Sequence, residues 1–184
     1  MNVTKADIEG LLVVEPDIFR DDRGYFLESY NSDRYREAGI PGVFVQDNVS
    51  VSKKGVIRGL HYQTPPFAQG KLVSVLRGRV LDVALDIRTG SPTFGRYVAV
   101  ELSAENHRQF WIPAGFAHGF VALEDETIFS YKCTNVYSKA HDRGVRWNDP
   151  TIGIVWGVAD PIVSEKDKQQ PLLTEIAQEF TFNN

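Results

Sequence analysis

Four histidines occur, at 61, 107, 118 and 141, and two of them sit in apolar, strand-like surroundings: Gly-Leu-His61-Tyr and Ala-His118-Gly-Phe. A free imidazole titrates near ~6.5, so it can both accept and release a proton at neutral pH. A pair placed this way suits acid–base chemistry inside a cavity. For either histidine alone, the competing reading is a core imidazole satisfied by a backbone carbonyl.

Strands must position these residues. Twenty valines, eleven isoleucines and an aromatic content of 11% favour strands, and 184 residues fit one domain, taken as 1–184. From Val45 to Ser52 the residues alternate, with Val45, Val49 and Val51 on one face and Gln46, Asn48 and Ser50 on the other. From Lys71 to Arg88 two apolar strands flank Arg77-Gly78-Arg79, which reads as a hairpin; in the second strand Leu81, Val83, Leu85 and Ile87 alternate with Asp82, Asp86 and Arg88. Further strands are expected at Tyr97–Leu102, Gln109–Ile112, Phe116–Leu123 and Thr127–Tyr137. Helix is expected only at Ser32–Ala38, with Ser32 as N-cap and Gly39 just past the end, and around Leu172–Gln178. Many short strands at this spacing indicate a sandwich or barrel.

Several function classes are disfavoured. Twenty basic against twenty-four acidic residues give a net charge of −4 with no basic run, which argues against nucleic acid but leaves room for a small anion held by a local pair of arginines. The longest aliphatic runs have four residues, as at Leu11–Val14, far short of the ~20 of a membrane span. Lys5, Asp7 and Glu9 stand where a signal peptide carries its apolar region, and Cys133 is the single cysteine, so a cytoplasmic protein without disulfides is expected.

The stretch Pro113-Ala-Gly-Phe-Ala-His118-Gly-Phe resembles the second half-motif of the cupin superfamily. Where metal-binding cupins carry His-x-His and a following Glu, this chain has His61-Tyr-Gln63 and then Lys71. An ammonium there would repel a divalent cation, so no metal is expected. A closer resemblance covers about residues 11 to 173. Arg58-Gly-Leu-His61, Gln69-Gly-Lys71, Asp86-Ile-Arg88, Ser91-Pro-Thr-Phe-Gly95, Leu102-Ser-Ala-Glu-Asn106 and Trp111 to Phe120 occur in order, with Asp21-Asp22-Arg23-Gly24, Gln46-Asp47-Asn48 and Ser164-Glu-Lys-Asp167. Together they resemble the dTDP-4-dehydrorhamnose 3,5-epimerase family.

That resemblance implies an all-β, cupin-like β jelly roll (double-stranded β-helix) with a few short peripheral helices. It further implies a homodimer that needs no cofactor and acts on a dTDP-4-keto-6-deoxyhexose. It assigns His61 as base, Asp167 as its orienting carboxylate and Tyr131 as acid; Lys71, alone or with His118, lies near the C4 oxygen. Arg23 and Arg58 would hold the diphosphate with Gln46 and Asn48, and Phe19, Phe26 and Glu28 would meet the thymine or its neighbours. Tyr137, Asp142 and Lys166 are further binding positions, Asp142 standing where a Glu is commoner. A regular strand would point Arg58 and His61 to opposite faces, so a bend near Gly59 is required. Three activities fit these residues: double epimerisation, a one-carbon epimerase or ketoisomerase, and sugar binding without catalysis.

Overall fold

The computed structural model describes residues 1–182. In chain order its elements are β1 (Asn2–Lys5), β2 (Leu12–Glu15), β3 (Ile18–Asp21), β4 (Gly24–Leu27), α1 (Ser32–Glu37), β5 (Gln46–Ser52), β6 (Val56–Gln63) and β7 (Lys71–Arg77). There follow β8 (Arg79–Asp86), β9 (Tyr97–Ser103), β10 (Gln109–Ile112), β11 (Phe116–Ala122), β12 (Thr127–Cys133), β13 (Asp142–Gly144), β14 (Ile162–Val163) and α2 (Glu165–Lys168). One sheet runs β1-β2-β10-β7-β12-β5 and the second β13-β6-β11-β8-β9, with β14 also paired to β6; β3 and β4 form a separate hairpin.

The two large sheets pack face to face as a jelly roll. Val73, Phe110 and Phe129 of the first meet Val80, Phe116 and Phe120 of the second in a core closed to solvent. The outer face of the second sheet is covered by the chain after β13, where Val145, Trp156 and Leu173 pack on Leu60, Val83 and Val121. The outer face of the first sheet is covered only in part, by Tyr35 and Ile40 against Leu72 and Trp111.

The polar stripe of β5 turns inward, and Val45, Val49 and Val51 are left 53%, 64% and 54% exposed. Most expected strands appear within a residue or two, although β12 ends at Cys133 rather than Tyr137. The expected hairpin at Gly78 does not form. β7 pairs with β10 and β12, whereas β8 pairs with β11 and β9, so the chain crosses from one sheet to the other at that glycine. Gly78 has φ +77°, and a Cβ there would fall 2.5 Å from Thr127 Oγ1, so the reversal needs glycine for reasons of space as well as conformation. Alternation identifies strands but not their partners.

The first helix is capped one residue earlier than expected: Asn31 accepts from the backbone N–H groups of Asp33 and Arg34. The expected tail helix is reduced to one 3₁₀ turn, Leu173–Glu175. A short helix that composition did not signal, α2, follows Ser164, whose hydroxyl accepts from Asp167 N–H.

Candidate active site

A cavity of about 510 Å³ opens between the sheets beyond the packed core. Arg58 and His61 of β6 and His118 of β11 reach it from the second sheet; Ser50 of β5, Lys71 of β7 and Tyr131 of β12 reach it from the first. Phe120 and Phe129, stacked with centroids 4.1 Å apart, supply apolar lining.

The bend that Arg58 and His61 need is present. His61 pairs with His118 and Arg58 with Phe120, three residues on β6 against two on β11, so β6 carries one extra residue and both side chains face inward. At this point Gly59 has φ +138°, and a Cβ on it would fall 2.5 Å from Gly119 Cα. Arg58 is held by Nε donation to Ser52 Oγ at 3.1 Å and by a bond to Val51 O at 3.2 Å.

His61 Nε2 lies 2.6 Å from Asp167 Oδ1, and Gly59 N–H approaches Oδ2 at 3.4 Å. Burial alone would raise the Asp167 carboxyl. Hydrogen bonds from His61 and Gly59 outweigh that and hold it below the ordinary carboxylate value. A carboxylate acceptor puts the imidazole proton on Nε2 and leaves the Nδ1 lone pair of His61 for chemistry.

His118 makes the corresponding contact with Asp82, Nε2 to Oδ2 at 2.9 Å, with both side chains buried. Burial pushes the His118 imidazole down and the Asp82 carboxyl up, so the neutral ring is favoured. With its Nε2 proton given to Asp82, a neutral His118 retains only an acceptor, which leaves Lys71 as the buried cation of the cavity. Lys71 is 9% exposed and donates one long hydrogen bond, Nζ to His61 O at 3.4 Å. An ammonium has three donors, so two lack protein partners among the described residues. Burial lowers its pKa, and Cys133, Asp142 and Asp82 oppose that shift.

Tyr131 shares its inward face with Phe129 and Cys133, and its hydroxyl has no hydrogen-bond partner among the described residues. Burial raises its pKa, which keeps the phenol protonated and able to act as an acid.

A second cavity of about 180 Å³ shares His61, Lys71, Tyr131 and Lys166 with the first and adds Gln46, Asn48, Tyr137 and Asp142. Thus eleven of the fifteen residues singled out from the sequence line two joined chambers. Four do not. Phe19, Arg23 and Phe26 lie on the β3–β4 hairpin, around a groove of its own, with Phe19 and Phe26 64% and 68% exposed and Arg23 bonded to Asp21. Glu28 pairs instead with Arg34 of α1 at 3.0 Å. Within one chain these four are not part of the chambers.

The sequence matches the model of the dTDP-4-dehydrorhamnose 3,5-epimerase family over residues 5–175. The chain belongs to this epimerase family. It is 56% identical to the Shigella flexneri dTDP-4-dehydrorhamnose 3,5-epimerase over 168 residues, covering 91% of this chain and 93% of that protein. It is 54% identical to the Pseudomonas aeruginosa enzyme of the same name, covering 92% and 94%. A crystal structure of the Legionella pneumophila 3,5-epimerase in complex with dTDP-4-keto-L-rhamnose superposes with TM-score 0.95 at 48% identity, covering 100% of this chain and 99% of that one.

In this member of the epimerase family the cupin metal position does not fit a divalent ion. Gln63 has both ends of its amide engaged: Nε2 donates to Phe67 O and Val136 O, and Oε1 accepts from Ser138 N–H. His118 and His61 share the cavity with the Lys71 ammonium, which would repel the ion. Sequence reasoning missed two residues. Asp82 was legible only as a polar residue alternating with Leu81 and Val83, and its pairing with His118 across β8 and β11 needed the fold. Ser50 was placed on the polar stripe of β5 without a role; its hydroxyl is buried, unpartnered and at the wall of the larger chamber.

Proposed function

We propose that this protein epimerises C3 and C5 of dTDP-4-dehydro-6-deoxy-D-glucose to give dTDP-4-dehydro-L-rhamnose, a step of dTDP-L-rhamnose synthesis. One observation carries the mechanism: a carboxylate-oriented imidazole and an unpartnered phenol line one cavity from opposite sheets, beside a buried ammonium.

The C3 and C5 protons both flank the C4 ketone. His61 Nδ1 takes the proton from one face, and the C–H electron pair passes into an enolate on the C4 oxygen. The free donors of Lys71 stabilise that charge in a low-dielectric chamber, where a fixed cation acts more strongly than in water. Tyr131 then gives its phenolic proton to the same carbon from the opposite face, which inverts it, and regains a proton from solvent while His61 loses one. No electrons are gained or lost overall, so no redox cofactor is required. Asp167 orients His61, and Asp82 orients the His118 ring in the wall, where burial favours its neutral form.

The smaller chamber, with Gln46, Asn48, Tyr137 and Lys166, suits the dTDP portion, and Arg58 at the wall of the larger chamber offers a guanidinium for phosphate oxygens. The active assembly is a homodimer. Its support is the uncovered face of the first sheet, where Val45, Val49, Val51 and Leu76 are all more than half exposed. Phe19, Arg23 and Phe26, which miss their own chambers, serve the partner's nucleotide subsite in this arrangement. The chain acts as a single domain in the cytoplasm; among the described residues no helix is long and apolar enough to cross a membrane.

The test is incubation with dTDP-4-dehydro-6-deoxy-D-glucose and NMR of the product. Conversion to the L-configured 4-keto sugar is expected. Inversion at C3 alone, or no turnover, would contradict the proposal.

A further inference from the structure

The two chambers meet at Lys166, whose side chain lines both. Its ammonium is already engaged: Nζ lies 2.5 Å from Asp142 Oδ2, and Tyr137 Oη donates to the same oxygen at 3.1 Å. Burial pulls the ammonium down, but contact with Asp142 outweighs this and holds it above the ordinary lysine value.

The partners are unequal. Asp142 belongs to β13, paired with Gln63 of β6, and its side chain is 12% exposed; Lys166 sits on the short helix α2 with 56% of its side chain in solvent. A carboxylate fixed to a sheet stays in place, whereas a long-stemmed and largely solvated ammonium can turn to another anion at little cost. Asp142 therefore sets a negative charge at the wall of the smaller chamber, read above as the dTDP site. A diphosphate placed there would be repelled by this carboxylate and attracted by the lysine it neutralises.

We propose that Asp142 stands in for the substrate's diphosphate in the free enzyme, neutralising Lys166 until the entering nucleotide sugar takes that ammonium from it. Asp142 is thus a positioning residue that acts through Lys166, and the exchange weakens nucleotide binding and speeds product departure. This rests on the reading of the smaller chamber as the dTDP site.

Isothermal titration with dTDP alone tests it on four full-length proteins: wild type, Asp142→Asn, Lys166→Met and the double variant. Asparagine keeps an acceptor for Tyr137 Oη and removes only the charge, so the fold and the wall are retained. Asp142→Asn should bind dTDP about two- to fivefold more tightly, the range of a partly exposed ion pair. Lys166→Met should weaken binding, and on that background Asp142→Asn should tighten binding clearly less than it does in the wild type. Weaker binding by Asp142→Asn would mean that Asp142 contacts the nucleotide itself. The same tightening with and without Lys166 would mean simple charge repulsion. Either result overturns the exchange. Failure of the wild-type protein to bind dTDP would instead overturn the functional reading, and the exchange with it.

Discussion

Replacing Tyr131 by Phe removes one oxygen and keeps the ring that packs 6.0 Å from Phe129. The hydroxyl has no partner among the described residues, so its loss orphans no buried group and should cost less than about 1 kcal/mol of stability. For a chain of this size that is a fall in Tm of no more than about 4 °C. If the phenol is the acid that protonates the far face of the enolate, turnover should fall by about 10²-fold or more, about 3 kcal/mol on the barrier. The chemical effect therefore exceeds the structural one. His61 should still remove a proton and return one on its own side. In heavy water, deuterium should enter the sugar at C3 or C5 without inversion, while the L-configured product falls by that factor, both read by NMR. A variant that inverts C5 at nearly the wild-type rate would make Tyr131 a wall aromatic, and the acid would have to be sought elsewhere.

Three further outcomes follow from the geometry. Dialysis against EDTA should leave kcat/KM unchanged, because Gln63 is committed to the backbone and Lys71 is cationic; loss of activity restored by one divalent ion would contradict this. At micromolar concentration light scattering should give a dimer for the wild type and a monomer for Val49→Lys/Val51→Lys, since charge on the open face of β5 opposes pairing; a wild-type monomer with full activity would refute the assembly. Asp167 titrates lower in the folded protein than its ordinary value, so its stabilisation is complete above the unfolded carboxyl pKa of ~3.9 and is lost as pH falls below it. Urea midpoints of wild type and Asp167→Asn should accordingly differ at pH 7 and converge toward pH 3; a gap independent of pH would show that the charge is not what stabilises.

The strands that carry the site were legible as strands, but the face each turns inward was not: β11 is buried along its whole length, β8 along nearly all of it, and in β5 the polar stripe with Asn48 faces in while Val49 and Val51 face out. Their pairing was not legible. The Gly78 reversal looks like a hairpin locally, and only the competition of β10 and β12 for the edges of β7 sends the chain to the other sheet. β1, β3 and β4 escaped notice because four-residue strands with mostly exposed side chains leave little periodic signal, and β2 because its short apolar run does not alternate. His61 with Asp167, and His118 with Asp82, are separated by 106 and 36 residues, so family resemblance could supply the first pair but spacing could supply neither. The exposed hairpin bearing Phe19, Arg23 and Phe26 has a use in the proposed dimer that a single chain leaves unfilled.

The central claim is that one base, His61 held by Asp167, serves both carbons. It is tested most directly by His61→Asn in heavy water with dTDP-4-dehydro-6-deoxy-D-glucose, following deuterium at C3 and C5 separately by NMR. Exchange at both positions should fall together by at least ~10²-fold, the scale of losing a general base. Deuterium uptake retained at either carbon would require a second base and would contradict the account.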